Sequence, residues 1–406
     1  MTSSPYLTSP AGRTELAAVY RNALLNDVVP FWLRHGIDKE FGGFLTALGR
    51  DGTVIDTDKS IWFQGRGAWT FASLYLEVEK RAEWLEAARS GIEFLRRFGV
   101  SPGGKMYFTV TREGKPLRMR RYVYSESFAA IANAAYARAA GDERSAADAQ
   151  VCLAGYLHAS FTPGAMEGKV SADTRPMMGI APLLIAIFTA QEVRQHLGDI
   201  ACCGRTCSEW IDWCIDRIER YFLKPDLAAM MDVVGPGGEI IDHFDGRMLA
   251  PGDAMEGGWF ILREGQRRND RRLIQIGLNM IDWMWKRGWD EEFGGLYNFR
   301  DLYNHPIQEY TQDMKFWWTH CEAIIATVMA WQLTGDARYA EWHRQVHDWT
   351  FAHFPDKAQG EWFGYLHRDG RVSTQLKGNM WKGPFHIPRM LRMCWQMLEP
   401  KKGTCV

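Results

Sequence analysis

Six similar glycine-bearing segments recur along the chain, and this repeat limits the possible folds more than any other feature. The first reads DKEFGGFLTALGR, the fifth DEEFGGLYNFRD and the sixth GEWFGYLHRDGRV. Successive copies are roughly 60–70 residues apart, and self-similarity at a nearly fixed spacing indicates a repeat architecture. A glycine followed by alternating polar and aromatic residues predicts a short β-hairpin in each copy. The copies lie at 38–50, 103–116, 167–173, 234–247, 290–301 and 360–372.

Each predicted hairpin lies between two stretches with helical periodicity. In 15–35, for example, Leu16, Tyr20 and Leu24 recur on one face, as in an amphipathic helix. Helices that follow a hairpin are rich in small and apolar residues and are expected to be buried, whereas the others carry a charged stripe typical of a solvent-facing helix. Twelve helices are predicted, at about 15–35, 62–79, 82–98, 124–140, 144–158, 176–195, 206–222, 253–266, 270–287, 315–334, 337–353 and 385–398.

Six buried helices alternating with six amphipathic ones favour an all-α (α/α)6 toroid with an inner and an outer ring. The length of 406 residues alone would suggest two or three domains. The repeat instead predicts one domain over 1–406, because each helix pair buries its faces against its neighbours. Flexible ends are expected at about 1–13 and 400–406. An open helical solenoid is the alternative, but six copies with nothing after the sixth favour a closed ring.

Composition narrows the class of function. The 48 Lys+Arg and 49 Asp+Glu residues give a net charge of −1, which offers no reason to expect a nucleic-acid or membrane partner. No apolar run approaches the ~20 residues of a membrane-spanning helix, and the N-terminal segment does not resemble a signal peptide. We therefore expect a cytoplasmic protein. Glycine-rich nucleotide motifs and His-Glu-x-x-His are absent, so neither a cofactor nor a metal is expected.

The six hairpin-to-helix junctions carry polar and aromatic residues that are unusual at the start of a buried helix. In a toroid all six junctions lie at the same end. Each residue alone is equally well explained as a structural partner, but burying charged groups is costly, so their convergence indicates a polar ligand site. From first to sixth junction they are Trp62, Gln64 and Arg66; Tyr124 and Glu126; Arg175; Asp253 and Glu256; Trp317, Trp318, His320 and Glu322; Lys382, His386 and Arg389.

These motifs resemble those of the N-acylglucosamine 2-epimerase family, which includes renin-binding protein. IWFQGR, HPIQEYTQDMKFWWTHCEA, GEWFGYLHRDG and KGNMWKGPFHIPR carry the resemblance, which covers nearly the whole chain. It implies an (α/α)6 barrel and cofactor-independent epimerisation or isomerisation of a sugar, with Arg66, Glu256, Glu322 and His386 as catalytic residues. The sugar-binding residues are then expected to be Trp62, Gln64, Tyr124, Glu126, Arg175, Trp317, Trp318, His320 and Lys382.

One position departs from the family pattern. The family's fourth junction usually contains Pro-Gly-His, and that histidine is one of two acid/base residues; here Asp253 takes its place, while His386 is retained. Inverting C2 of an aldose removes one proton and returns another to the opposite face, so two such groups suit epimerisation. Arg66 would stabilise the negative charge of the enediolate. An aspartic acid with a pKa near 3.9 is a poor acid unless burial or Glu256 raises its pKa.

Several hypotheses about function stay open from the sequence. In the first, Asp253 replaces the histidine, and the enzyme is a 2-epimerase of an aldose such as N-acetylglucosamine. In the second, His386 works alone or with His320 as an aldose–ketose isomerase. A glycoside hydrolase using Asp253 with Glu256 or Glu322 and a non-catalytic sugar-binding protein are alternatives of other classes.

The resemblance also implies partners other than the sugar. Family members often form homodimers, and ATP is an effector of some of them. A homodimer and a nucleotide effector are therefore further expectations for this chain. The run 377–383 is basic and contains glycines, but its pattern is too loose to define a phosphate site.

Overall fold

The computed structural model describes residues 7–119, 122–167 and 170–399. Within them the predicted all-α architecture is confirmed. The predicted flexible end at 400–406, residues 1–6 of the other predicted flexible end and residues 168–169 of the third repeat copy lie outside the described residues. Residues 10–13, which were also predicted as part of a flexible end, instead form the first turn of a helix, and the Ser9 side chain caps it by accepting from the backbone N–H of Gly12.

Twelve long helices follow the repeat. The helix α1 comprises Pro10–Ala23, a π-helical turn at Leu24–Val28 and Val29–His35. The others are α2 (Ile61–Glu77), α3 (Ala82–Phe98), α4 (Tyr124–Ala140), α5 (Glu143–Phe161), α6 (Ala181–Leu197), α7 (Cys207–Arg217 with a π-helical turn at Ile218–Phe222), α8 (Pro251–Arg268), α9 (Arg271–Gly288), α10 (Trp317–Thr334), α11 (Ala337–His353) and α12 (His386–Leu398). Single helical turns lie at Pro225–Leu227 and Phe244–Arg247.

The even-numbered helices form the inner ring and the odd-numbered helices the outer ring. The sequence of α10 shows why, since nearly every residue in its first fourteen is buried and its charged residue is Glu322. Inner helices also approach each other closely: a Cβ on Gly65 of α2 would lie 2.7 Å from the backbone carbonyl carbon of Phe128 in α4. Among the described residues, no helix combines the length and apolar character needed to cross a membrane.

The first helix completes the ring, because α1 packs against α12 as its outer partner. The remaining outer helices each pack against the inner helix that precedes them in the chain. The described chain therefore forms the closed toroid rather than the open solenoid.

Short strands lie mainly at the end of the barrel where the inner helices begin, with only β7 and β8 at the other end, and they depart in part from the predicted hairpins. Residues 103–116 contribute to a true hairpin, but Val233–Val234 pairs with Met178–Gly179 instead of folding back within 234–247, so that predicted hairpin is wrong. The strands are β1 (Ala47–Leu48), β2 (Val54–Asp56), β3 (Lys59–Ser60), β4 (Tyr107–Val110), β5 (Pro116–Met119), β6 (Met178–Gly179), β7 (Ala201–Cys202), β8 (Arg205–Thr206), β9 (Leu223–Lys224), β10 (Ala229–Met230), β11 (Val233–Val234), β12 (Met248–Leu249), β13 (Arg300–Asp301), β14 (Lys315–Phe316) and β15 (Tyr365–Leu366). Antiparallel pairs are β1–β2, β3–β4, β4–β5, β6–β11, β7–β8, β9–β10, β12–β13 and β14–β15.

A recurring ionic cluster ties neighbouring hairpins together. In each case an aspartate at the start of a repeat copy, or four residues before it in the sixth copy, binds a buried lysine from the strand or loop that follows and an arginine from the next hairpin around the ring. Each lysine also donates to a glycine carbonyl of the same copy. The three clusters are Asp38–Lys59–Arg112, Asp290–Lys315–Arg368 and Asp356–Lys377–Arg50.

Candidate active site

The five catalytic candidates lie at the hairpin end of the barrel, where the inner helices begin. Arg66 and Glu322 lie in the second turns of α2 and α10, and His386 is the first residue of α12. Asp253 and Glu256 lie in the first two turns of α8. The structure brings them together: Glu256 interacts electrostatically with Arg66 and Asp253, and Glu322 contacts His386.

A hydrogen-bond network centred on one arginine holds this cluster. Nη2 of Arg389 lies 2.5 Å from Oε1 of Glu256 and 2.7 Å from Oε1 of Glu322. The same Glu322 oxygen lies 2.8 Å from Nδ1 of His386, and its other oxygen accepts from Nε1 of Trp259 at 2.8 Å. Because Glu322 accepts at Nδ1, the neutral imidazole carries its proton there and presents Nε2 as an acceptor.

The imidazole of His386 is set up as a base. Burial, Arg389 and Arg66 hold its pKa well below the ordinary value of 6.5, because a charged imidazolium is disfavoured by desolvation and by nearby positive charge. At neutral pH the ring is therefore uncharged. Within the described residues, Nε2 makes no hydrogen bond, so this nitrogen is free to take a proton from a ligand.

Arg66 supplies a positive charge that protein groups leave largely unneutralised. Its guanidinium carbon lies 4.2 Å from the ring centre of Phe128 and 4.9 Å from that of Phe385. Nη1 donates to the carbonyl of Trp381 at 3.1 Å, while the buried Nε has no partner among the described residues. Burial lowers its pKa to about 10, against the opposing charge of Glu256. Arg66 therefore stays protonated at neutral pH and can stabilise a developing oxyanion.

Asp253 lies in an environment that favours its protonated form. Burial, Asp232 and Glu256 raise its pKa well above 3.8. Asp232 is held in the loop between β10 and β11, where its carbonyl accepts from the backbone N–H of Ile180 at 2.9 Å. Burial, together with the charges of Asp253 and Asp232, raises the pKa of the Tyr124 phenol. A carboxyl group with a raised pKa is a better proton donor near neutral pH than an ordinary aspartic acid.

Aromatic side chains surround these groups. The rings of Trp317 and Trp318 lie 6.1 and 6.0 Å from that of His386, and the ring of Trp62 lies 5.4 Å from that of Tyr124. The buried indole Nε1 atoms of Trp62 and Trp317 have no hydrogen-bond partner among the described residues. Unpaired buried donors are rare and call for a functional explanation. Here they accompany apolar ring faces of the kind that pack on sugars.

Trp259, Trp381 and Asp232 of this cluster were not predicted from the sequence, and Arg389 was noted at the sixth junction without a catalytic or sugar-binding role. Arg389 and Trp259 each follow a catalytic candidate by three positions on its helix, so helical periodicity was the signal that could have placed them. Trp381 contacts Trp62 at a ring distance of 5.4 Å and directly precedes a predicted site residue. Asp232 lies in a loop, and no sequence pattern points to it.

The predicted ligand roles of Gln64 and His320 are corrected. The Gln64 amide accepts from the backbone N–H of Phe44 at 2.7 Å and donates to its carbonyl at 2.8 Å. Nδ1 of His320 donates to the carbonyl of Phe316 at 2.7 Å, and Nε2 accepts from the N–H of Leu296 at 3.0 Å. Both side chains are fully buried with every polar atom paired to backbone, so His320 cannot serve as a second base.

The lysines of the run 377–383 are also structural. Nζ of Lys382 lies 2.5 Å from Oε2 of Glu361 and donates to the carbonyl of Lys377 at 2.9 Å. Nζ of Lys377 lies 3.1 Å from Oδ2 of Asp356. Both lysines are completely buried. The predicted sugar-binding role of Lys382 is therefore corrected, and neither lysine is free to bind a phosphate.

Two further predicted sugar-binding residues lie apart from the network. Glu126 is buried and accepts from the backbone N–H of Met106 at 3.2 Å. Arg175 lies on an exposed turn before α6, where its charge acts on His243. Neither has a contact with the Arg389 network among those found in the described residues.

A metal ion is not needed to hold the carboxylates together. One ligand atom from each of Glu256, Glu322 and His386 lies within 4.8 Å of the other two, which is a spacing that a cation could bridge. The guanidinium of Arg389 already contacts all three groups. The cation of this cluster is therefore an arginine side chain.

Comparison with known proteins assigns the chain to a family. The family model for N-acylglucosamine 2-epimerase (GlcNAc 2-epimerase) matches residues 42–387. The chain belongs to the N-acylglucosamine 2-epimerase family. The N-acylglucosamine 2-epimerase of Bos taurus is 38% identical over 390 residues, covering 92% of this chain and 89% of that protein.

Similar solved structures confirm the (α/α)6 fold of this chain. Cellobiose 2-epimerase from Bacillus thermoamylovorans superposes with a TM-score of 0.82 at 19% identity, covering 95% of this chain and 99% of that one. D-mannose isomerase superposes with a TM-score of 0.78 at 19% identity, covering 98% and 99%. At these identities the likeness concerns the fold alone.

Proposed function

We propose that the protein is a cofactor-independent sugar 2-epimerase acting on an N-acylated 2-amino aldose. The observation that supports this most is the presence, at the same end of the barrel, of a neutral imidazole and a carboxyl group of raised pKa. His386 comes from α12 and Asp253 from α8, two inner helices separated by α10. Two acid/base groups of this kind suit the exchange of a proton from one face of C2 to the other. The substrate class follows from the curated relative.

The reaction proceeds on the open-chain sugar. Nε2 of His386 takes the C2 proton, and the electrons of the broken C–H bond form the enediolate, whose negative oxygen lies against Arg66. The Asp253 carboxyl then returns a proton to the opposite face of C2. Glu322 stabilises the resulting imidazolium through Nδ1. In the reverse direction the two groups exchange roles, so the carboxylate of Asp253 is the base.

Proton NMR in deuterated water tests this proposal. The substrates are N-acetylglucosamine, N-acetylmannosamine, glucose, mannose, fructose and cellobiose. Loss of the C2 proton signal together with growth of the epimer's anomeric signal is the expected result, and it names the sugar. Cleavage of cellobiose into new reducing ends would point instead to hydrolysis. Binding without exchange would point to a sugar-binding protein.

Variants of the two acid/base residues separate epimerisation from isomerisation. His386→Ala is expected to abolish exchange, while His158→Ala, on an exposed face of α5, keeps it. Asp253→Asn is expected to lose epimerisation, and Asp253→His restores the group usual in the family. Full activity of Asp253→Asn with a ketose product would favour the isomerase, in which His386 shuttles the proton alone.

Three expectations from the sequence stay predictions. These are a homodimer, a nucleotide effector and a cytoplasmic location. Size-exclusion chromatography with light scattering tests the first, and ATP titration followed by thermal unfolding tests the second.

A further inference from the structure

A cavity lies at the end of the barrel opposite the candidate active site, where the inner helices end. Its volume is about 1030 Å³. Its wall includes residues from the last turns of inner helices, and it is called the distal cavity here. Five of them are Glu77 of α2, Gln195 of α6, Gln266 of α8, Gln332 of α10 and Gln396 of α12. The proposed sugar chemistry makes no use of it.

A layer of aromatic rings separates the distal cavity from the candidate active site. The ring of Phe385 lies 5.2 Å from that of Trp69 and 6.2 Å from that of Phe188. The ring of Phe188 in turn lies 5.0 Å from that of Phe260. Trp69 and Phe188 form part of the distal wall. The barrel is therefore plugged at mid-height, and the distal cavity is a compartment of its own.

One stripe of α12 connects the two compartments. His386, Arg389, Arg392 and Gln396 follow one another at intervals of three, three and four residues, which places them on one face of the helix. Arg389 reaches both sides. Its Nη2 holds Glu256 and Glu322, and the residue also lines the distal cavity.

The wall carries four arginines against three glutamates, namely Arg13, Arg263, Arg389 and Arg392 against Glu77, Glu192 and Glu399. Nη1 of Arg392 pairs with Glu77, but its Nε and Nη2 make no hydrogen bond within the described residues. Nε and Nη1 of Arg389, which is 1% exposed, are buried without a partner among the same residues. The carboxylate of Glu192 on the opposite wall is already paired with Arg263 at 2.7 Å. Unpaired guanidinium donors inside a protein are costly and match the oxygens of carboxylates and phosphates.

We propose that the distal cavity binds a small anion carrying a carboxylate or phosphate group, received by Arg392 and Arg389. Because Arg389 also holds the carboxylates beside His386, the bound anion competes for the same guanidinium and changes the surroundings of that histidine. The residues of the distal wall define this anion site, and the site does not depend on the proposed sugar reaction.

Thermal unfolding tests the binding. Inorganic phosphate and citrate are titrated separately at constant ionic strength, with chloride as the reference anion. The expected result is a saturable rise in Tm with one of the two probes, and which probe acts tells phosphate from carboxylate recognition. Gln266→Glu adds a negative charge to an exposed part of the wall and should weaken the apparent affinity at least about tenfold. Gln275→Glu makes the same change on the outer helix α9 and should leave the affinity unchanged.

Two outcomes overturn the site. One is the absence of a saturable shift with either anion. The other is an equal shift in the protein and in Gln266→Glu. Arg392→Gln adds a direct check where it folds, and Gln266→Glu decides the question where it does not.

The connection to His386 has its own readout. In protein labelled with [15N]histidine, the His386 signals are identified by their loss in His386→Asn. They are expected to shift along the same titration curve as Tm. Saturated anion binding with unchanged His386 signals would overturn the role given to Arg389.

Discussion

Arg50 and Asp356 lie 306 residues apart in sequence, and their side chains form a two-point ion pair with Nε–Oδ2 and Nη2–Oδ1 distances of 2.6 and 3.0 Å. The pair joins the first hairpin to the sixth. Two other hairpin pairs are joined by the same combination of aspartate, buried lysine and arginine. The ends of the repeat array are thus held by the interaction used between consecutive copies, as a closed ring requires.

Loss of the Asp356 carboxylate should make the folded protein less stable. In Asp356→Asn the ammonium group of Lys377, which is completely buried, loses the carboxylate 3.1 Å away. Removing one partner of a buried ion pair leaves the other charge uncompensated, so the free energy of unfolding should fall by about 3 kcal/mol. Urea unfolding followed by circular dichroism measures it. Asp369→Asn breaks an exposed pair with Arg371 and should have no comparable effect; equal losses in both variants would contradict the role given to Asp356.

Most of the fold could be predicted from the spacing of the repeat in the sequence. Alternation of buried and amphipathic helices was readable because an inner helix such as α10 must be apolar on almost every face. The strands were harder to predict, since they are two to four residues long and several pair with strands from other repeats. Such pairing depends on how the ring closes, and local alternation of polar and aromatic residues does not encode it.

Burial of His320 should make the protein less stable in mild acid. Desolvation lowers its pKa to about 3 in the folded state, against about 6.5 when unfolded. The unfolded state therefore binds one more proton between these values, and stability that is complete above pH 6.5 is lost as the pH falls, by about 1.4 kcal/mol per pH unit. Between pH 7 and pH 5 the contribution of His320 is about 2 kcal/mol.

The variant His320→Gln isolates this contribution. Its difference in unfolding free energy between pH 7 and pH 5 should be smaller than that of the unmodified protein by about 2 kcal/mol. His158→Gln, on the exposed side of α5, should keep the original difference. The account of His320 fails if the two variants show the same dependence on pH.

The candidate site was predictable where a residue follows a hairpin and not where it comes from a distant loop. Glu322 and His386 were predicted from their positions at the hairpin-to-helix junctions, because charged groups are rare at the buried start of an inner helix. The same rule also selected Gln64 and Lys382, whose polar atoms satisfy backbone groups and an ion pair. A sequence shows that a buried polar side chain needs a partner, but only the fold shows whether that partner is the protein itself.

Glu322→Gln should show whether Glu322 supports His386 in the proton transfer or binds the sugar. The glutamine keeps the shape but loses the charge that stabilises the imidazolium of His386. The rate of C2 proton exchange should fall by about 10³-fold in kcat, with KM changing little because Glu322 is completely buried. NMR exchange rates at saturating and limiting sugar give the two constants. Glu291→Gln, an exposed substitution of the same kind, should match the unmodified enzyme, and a rise in KM without loss of kcat would assign Glu322 to binding.

Asp232→Asn should move the pH dependence of the reaction through its effect on Asp253. Burial, Asp232 and Glu256 raise the pKa of Asp253, in that order, so removing the charge of Asp232 lowers that pKa. In the direction in which Asp253 donates its proton, activity falls as this carboxyl ionises at high pH. The alkaline limb of kcat/KM should therefore shift by about one unit to lower pH, while Asp245→Asn, at an exposed position, leaves it in place. An unmoved limb in Asp232→Asn would mean that another group donates the proton to C2.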